Sequence, residues 1–112
     1  MPQILIDHSA GLDFDRQGLA RALHPLIAEV IDTTEAECKT VFRPAAECYT
    51  GAAAAPRPLV LVEVKILDGR STEQRAELTA RILALLQSHL PEPATVAVEV
   101  TELDRATYRI AY

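Results

Sequence analysis

The chain has no tryptophan, only two cysteines and three histidines, and 4% aromatic residues among its 112 positions. The cysteines, Cys38 and Cys48, stand alone, and two free thiols are typical of a reduced, cytoplasmic protein without a disulfide framework. The histidines have no partners at ligand spacing, so the sequence predicts neither a metal site nor another cofactor. No phosphate-cradling glycine loop, nucleophile triad or basic-aromatic stripe is present, which excludes the function classes that those motifs define.

Positive charge and long apolar runs are also scarce. The formal net charge is −5, which argues against non-specific nucleic-acid binding because phosphate backbones attract basic surfaces. The apolar stretch Leu59–Val62 is soon followed by Glu63 and Lys65, so it is too short for a membrane span. The first residues lack the basic and apolar segments of a signal peptide. These features together predict a cytoplasmic protein without nucleic-acid or membrane partners.

Apolar residues, in contrast, are abundant, at 49% of the chain. A chain of 112 residues can build one compact domain but not two, so we predict a single domain over residues 1–112. Small domains bury a limited share of their surface, and association with further copies is a natural supplement to their stability.

The first half of the chain predicts a strand, a helix and a second strand. Alternation over Gln3–Asp7 indicates a strand, and helical spacing of leucines and isoleucines follows over Leu19–Val30. Pro25 lies inside this stretch and predicts a kink or a break, since it removes a backbone hydrogen bond. Glu37–Arg43 indicates the second strand, which Pro44 should end. A loop or hairpin connection then covers residues 45–58.

The second half repeats this order at a shift of about 60 residues. Leu59–Leu67 is strongly β-prone, Asp68-Gly69 is a turn, and Ser71 or Thr72 can cap the following helix. Alternating valines over Ala94–Thr101 predict the last strand. The pseudo-repeats therefore cover about 2–44 and 59–103.

Two β-α-β units of this kind predict an α+β fold, with a four-stranded mixed sheet and two helices on one face. Right-handed crossovers make the strands within each unit parallel. The strands are so apolar that the other face of the sheet should also be buried, and we expect a partner subunit to bury it. The tail Arg105–Tyr112 is expected to extend onto that neighbour.

Pro2, directly after Met1, is the most informative residue for function. Small second residues permit removal of the initiator methionine, and Pro2 would then carry a free secondary amine instead of an amide nitrogen. Burial and nearby cations lower the pKa of an amine from the usual α-amino range of about 7.7–8.0 towards neutrality. A base with a pKa near the working pH is what proton abstraction next to a carbonyl requires.

The segment Lys65-Ile66-Leu67-Asp68-Gly69-Arg70-Ser71-Thr72-Glu73-Gln74-Arg75 resembles the strand, Gly-Arg-Ser turn and helix start of 4-oxalocrotonate tautomerases. The whole chain, with Met-Pro at its start and two fused β-α-β units, is similar to the 5-carboxymethyl-2-hydroxymuconate isomerases. The resemblance is thus to the tautomerase superfamily, and it implies the tautomerase fold and a homotrimer.

This resemblance implies a cofactor-independent isomerase, of the kind used in aromatic degradation, that acts on small unsaturated 2-oxo or 2-hydroxy carboxylic acids. Pro2 would be the general base and acid, and Arg70 would bind the carboxylate or stabilise the enolate. The resemblance also implies a basic residue in the second strand, where Lys39 and Arg43 compete. Lys39 would depart from the arginine of the similar isomerases, because an ammonium offers a point charge and no bidentate fork.

Tyr49, near the loop, is a further candidate for the pocket rim as a hydrogen-bond donor. Two other functions remain open on the same fold. One is a hydratase or dehalogenase, which needs an acidic or tyrosyl water activator, with Tyr49 and Glu47 as candidates. The other is a non-catalytic oligomeric protein that binds small acids, which retention of Met1 would favour.

Overall fold

The structure is a computed structural model that describes all residues, Met1–Tyr112. Its elements are, in chain order, β1 (Gln3–Ser9), α1 (Arg16–Ile31), a short 3-10 turn (Glu35–Glu37), β2 (Lys39–Ala45), β3 (Tyr49–Thr50), β4 (Ala53–Ala54), β5 (Leu59–Leu67), α2 (Thr72–His89) and β6 (Thr95–Leu103). Neither helix has the length and apolarity that crossing a membrane requires.

Four strands form one mixed sheet in the order β2-β1-β5-β6. Strand β1 pairs with β2 in parallel and β5 pairs with β6 in parallel, whereas β1 and β5 run antiparallel. The predicted α+β architecture, with a mixed four-stranded sheet, is therefore confirmed. The connection between the two units contains a small hairpin of β3 and β4.

Helix α1 begins at its cap, Asp15, whose carboxylate accepts a hydrogen bond from the backbone N–H of Gly18 at 2.9 Å. Such a cap satisfies one of the free N–H groups of the first turn. The helix then continues through Pro25 to Ile31 without a break. Asp32 follows in the left-handed conformation and ends it.

Helix α2 begins with a capping box. The Ser71 side chain accepts from the backbone N–H of Gln74 at 3.1 Å, and the Gln74 side chain accepts from the Ser71 N–H at 3.1 Å. This reciprocal pair fixes where the helix starts, and it therefore also fixes Arg70 immediately before it.

Both helices pack on one face of the sheet. The core consists of inward-facing strand residues and one stripe from each helix, and its fully buried members include Ile4, Ile6, Leu19, Leu23, Ile27, Val60, Val64, Leu78, Ile82 and Leu86. The alternating burial of β1 and β5 reflects the two-residue period of a strand.

The opposite face of the sheet carries no helix. Val41 is 49% exposed and Leu61 is 47% exposed there, and ion-paired or hydrogen-bonded groups such as Asp7–Arg43 and Glu63–Thr101 surround them. We call this surface the open sheet face.

The sequence predicted that the tail extends onto a neighbouring subunit, but in the structure its tyrosines contact their own chain. The hydroxyl of Tyr108 lies 3.0 Å from Nε2 of Gln3, and the hydroxyl of Tyr112 lies 2.9 Å from Oε2 of Glu37. We call residues 104–112 the C-terminal segment. It lies against the N-terminal end of its own chain, because its tyrosines find hydrogen-bond partners there.

Candidate functional site

One end of the sheet brings the start of β1 and β2 together with the end of β5 and β6. Gln3 pairs with Lys39 on one side and with Lys65 on the other, and Lys65 pairs with Thr101. This end of the sheet is also where Met1, Pro2, the turn before α2 and the C-terminal segment lie. We call it the Pro2 end.

Pro2 is buried at this end, and its carbonyl oxygen accepts a hydrogen bond from the backbone N–H of Lys39 at 3.0 Å. That bond continues the parallel pairing of β1 and β2 by one residue. The position of Pro2 is thus fixed by the sheet, and its nitrogen lies where the rigid part of the chain begins.

The N-terminal amine, carried here by Met1, lies in a mixed electrostatic environment. Burial is the largest influence and lowers the pKa of this amine, while Glu37, whose Oε2 lies 3.8 Å away, raises it. The positive charges of Lys39 and Arg70 lower the same pKa. The net effect is a pKa below that of an ordinary α-amino group.

Lys39 lies beside Pro2, and its ammonium is held by three oxygen groups. Nζ donates to the carbonyl of Glu37 at 2.8 Å and to the hydroxyl of Tyr112 at 3.2 Å. It also lies 4.0 Å from Oε2 of Glu37 and 5.1 Å from the centre of the Tyr112 ring. Lys39 is thus the residue of β2 that the fold brings to Pro2.

Arg70 lies in the turn between β5 and α2, and its side chain reaches the end of α1. Nε and Nη2 donate to the carbonyl of Ile31 at 3.3 and 3.1 Å, and Nη1 contacts the carbonyl of Leu67 at 3.4 Å. A cation at the carboxyl end of a helix complements the helix dipole. A guanidinium has five N–H donors, so donors remain for an anion after these contacts.

Arg43 lies four residues after Lys39 in β2, roughly 13 Å further along the strand at about 3.3 Å per residue. Its Nε and Nη2 both donate to the carboxylate of Asp7 at 2.8 Å. This bidentate hydrogen bonding raises the pKa of Arg43. Within one chain the structure therefore does not bring Arg43 to Pro2.

Tyr49 also lies away from Pro2. It belongs to the small hairpin and is 61% exposed. The neighbouring Cys48 has its sulfur 3.5 Å from Oγ of Ser9, the last residue of β1. Because Pro2 precedes the first residue of the same strand, Tyr49 and Pro2 lie at opposite ends of the sheet, as do Glu47 and Pro2.

Sequence reasoning missed four side chains that surround the N-terminus: Gln3, Glu37, Tyr108 and Tyr112. Neither tyrosine belongs to a periodic element, so no helix or strand pattern could place it. One signal was available, since two of the three tyrosines of the chain lie among its last five residues.

The concave surfaces of the single chain lie elsewhere. The largest lies beside the turn after α2, another lies on the open sheet face, and none of the four is lined by Pro2, Lys39 or Arg70. No three side chains of His, Cys, Asp or Glu come together as metal ligands. With Met1 attached, the Pro2 end is thus a closed, charged cluster and not an open cleft.

Scans against protein-family models and against curated proteins found no match. Solved structures, in contrast, match over almost the whole chain. A 5-carboxymethyl-2-hydroxymuconate isomerase from Deinococcus radiodurans R1 is 18% identical, with a TM-score of 0.83 over 98% of this chain and 88% of that one. The protein Pt0534, inactivated by 2-oxo-3-pentynoate, is 20% identical, with a TM-score of 0.84 over 97% and 91% of the two chains.

A wild-type fused 4-OT, which is a symmetric trimer, is 18% identical to this chain, with a TM-score of 0.83 over 97% of this chain and 91% of that one. The chain has the tautomerase fold. The resemblance of the Gly69-Arg70-Ser71 turn and its flanking elements therefore predicted the architecture correctly. At this level of identity the structural likeness concerns the fold, and function has to be argued from the Pro2 end itself.

Proposed function

We propose that this chain is a cofactor-independent isomerase of small unsaturated 2-oxo and 2-hydroxy carboxylic acids. The observation that carries the proposal is the burial of Pro2 at the end of the sheet where Lys39 also lies. Burial lowers the pKa of the amine at this end, which Met1 carries, and Lys39 and Arg70 lower it further, whereas Glu37 raises it. Two solved structures with the same fold support this chemistry: one is an isomerase, and the other is a protein that a 2-oxo acid inactivates.

In the proposed reaction Met1 has been removed and Pro2 carries a neutral secondary amine. Its nitrogen accepts the proton of an enol hydroxyl, or the proton on the carbon next to a carbonyl, and becomes an ammonium. The same ammonium then returns the proton to carbon, so the reaction is an isomerisation without a net change in atoms. A base whose pKa lies near the working pH performs both steps well.

Arg70 and Lys39 bind the anionic parts of the substrate in this proposal. Negative charge develops on the enolate oxygen as the proton leaves, and fixed positive groups stabilise it. Of the two basic residues in β2 we assign this role to Lys39, because Arg43 is neutralised by Asp7 at a distant point of the strand. Arg43 and Tyr49 would reach a Pro2 end only from another copy of the chain.

A homo-oligomer, most simply a trimer, is the second part of the proposal. The open sheet face exposes Val41 and Leu61, and exposed apolar surface flanked by charges is typical of subunit contacts. The fused 4-OT with the same fold is a symmetric trimer. Sedimentation equilibrium should give a mass of about three chains, and a monomer would refute this part alone.

Replacement of Pro2 by alanine is the experiment that tests the proposed base. Alanine still permits removal of Met1 but leaves a flexible primary amine, so kcat/KM for ketonisation of a 2-hydroxydienoate should fall by about 100-fold. The rate is followed by loss of the dienol absorbance, on protein whose first residue is verified by intact mass. Pro91→Ala, in the exposed turn after α2, is the matched control, and an unchanged rate in Pro2→Ala would refute proline catalysis.

Addition of water to the same class of acids is the second candidate function. Its supporting observation is the Glu37 carboxylate, which accepts from the Tyr112 hydroxyl at 2.9 Å beside the N-terminus. A carboxylate of this kind can activate water, whereas Glu47 and Tyr49 lie at the other end of the sheet. Conversion of 2-oxo-3-pentynoate into a diketo acid, with one water consumed per turnover, would favour this candidate over isomerisation.

A further inference from the structure

Met1 does not extend into solvent, although it precedes the first strand. Its side chain is only 10% exposed, and the hydroxyl of Tyr108 lies 3.2 Å from its sulfur. Terminal residues are normally exposed and poorly ordered. The fold therefore provides an enclosed space at the Pro2 end, and the methionine side chain fills it.

The C-terminal segment supplies a polar group to this space. Nε2 of Gln3 donates to the oxygen of the Tyr108 hydroxyl at 3.0 Å, and the hydroxyl in turn donates to the sulfur of Met1. Because Gln3 is the first residue of β1, the donor that orients Tyr108 belongs to the rigid sheet. The phenolic proton is thus aimed at whatever occupies the space of Met1.

The surrounding charges favour an anion of low charge. Lys39 and Arg70 contribute positive charge, and Glu37 contributes one negative charge. Tyr112 bridges Lys39 and Glu37 through its hydroxyl, which holds that pair in place. These cations can bind one carboxylate of a ligand, whereas a second carboxylate would be repelled by the negative charge of Glu37.

We propose that the space filled by the Met1 side chain becomes the substrate pocket when Met1 is removed, and that Tyr108 then donates its hydrogen bond to an oxygen of the bound acid. This inference rests on the proposed function. Removal of Met1 vacates this space together with the volume of the residue's backbone. The whole residue has as many non-hydrogen atoms as 2-oxo-3-pentynoate, so the pocket fits a short aliphatic 2-oxo monoacid better than an aryl one. Tyr108 is a catalytic residue in this scheme, and Gln3 is the residue that positions it.

Binding without turnover gives the first test. The probe is 2-oxopentanoate, which has no unsaturation to isomerise. Because a ligand raises the melting temperature only of the state that binds it, 2-oxopentanoate should stabilise the protein that begins at Pro2 and leave the Met1-bearing protein unchanged. Phenylpyruvate should stabilise the same protein less. Equal stabilisation of both forms by 2-oxopentanoate would refute the assigned pocket.

Tyr108→Phe gives the second test, since it keeps the ring and removes only the hydroxyl. A hydrogen bond to a charged group is lost, so kcat/KM for a short 2-hydroxydienoate should fall about ten- to hundredfold, and stabilisation by 2-oxopentanoate should weaken. Thr107→Val is the matched control, because its hydroxyl contacts only the carbonyl of Asp104 in the same segment. Its rate should stay within about twofold of the parent rate.

The outcomes separate this inference from the proposed function. If the protein that begins at Pro2 turns over no dienol, the proposed function fails. If it turns over the dienol and Tyr108→Phe matches its rate, the proposed function stands and the role of Tyr108 is refuted. Should Tyr108→Phe not fold, the comparison of the two parent forms with 2-oxopentanoate still decides whether the pocket is correctly assigned.

Discussion

Protein that retains Met1 should catalyse ketonisation of a 2-hydroxydienoate at least about 100-fold more slowly than protein that begins at Pro2, the range expected for loss of a general base. With Met1 attached, the nitrogen of Pro2 is an amide and cannot accept the proton. The methionine side chain also fills the enclosed space beside it. The two forms are distinguished by intact mass, and the initial rates are compared at equal concentrations.

Treatment with methionine aminopeptidase supplies the control for this comparison. The Met1-bearing fraction should lose one methionine and gain the full rate, since no other bond of the chain changes. Equal rates before and after the treatment would contradict catalysis by Pro2. Absence of turnover in both forms would instead favour the non-catalytic small-acid-binding protein on the same fold.

Arg70→Ala should lower kcat/KM by about 100-fold or more, the loss typical of removing one preorganised group that stabilises an oxyanion. Part of the effect is structural, because Arg70 donates to the carbonyl of Ile31 at the end of α1. The free energy of unfolding should therefore also fall, by about 1–3 kcal/mol. Urea denaturation and steady-state kinetics on the same preparation separate the two losses.

Arg81→Ala is the matched control for charge, since Arg81 pairs with Glu29 and Glu77 on the helices and not at the Pro2 end. It should leave kcat/KM unchanged. Arg70→Lys should recover part of the rate, because it restores the charge without the bidentate fork. An Arg70→Ala protein with parental kcat/KM would contradict the role of Arg70 in binding the acid.

Much of the fold was predictable from local patterns. Strand β5 has the predicted bounds, Leu59–Leu67, and Ser71 caps α2 as its sequence suggested. Strand β2 begins two residues later than predicted, because Glu35–Glu37 form a 3-10 turn. It also continues through Pro44, which an edge strand tolerates because one side of its backbone has no partner.

The candidate site was predictable only in part. The start of the chain and the turn motif pointed to Pro2 and Arg70, and the resemblance implied a basic residue in β2, for which Lys39 and Arg43 competed. The sheet brings Lys39 to Pro2. The choice between Lys39 and Arg43 needed the strand register, since both residues lie on the same face of β2. The contact of Tyr108 with Gln3 joins residues 105 positions apart, and no short-range pattern encodes such a contact.

The pKa of the Pro2 nitrogen decides whether this nitrogen can act as the catalytic base. In protein labelled with 15N-proline and freed of Met1, Pro2 should be the one among seven prolines whose nitrogen shift titrates, because the others are amides. Burial, Lys39 and Arg70 lower the pKa of the amine that Met1 carries at this end, and they outweigh Glu37, which raises it. Because the Pro2 nitrogen lies in the same surroundings, its midpoint should lie below the usual 7.7–8.0 of an α-amino group. Since only the neutral amine is a base, kcat/KM should rise with pH through that same midpoint and then level off. A midpoint at or above the usual range, or a rate that does not follow it, would contradict catalysis by a neutral Pro2 amine.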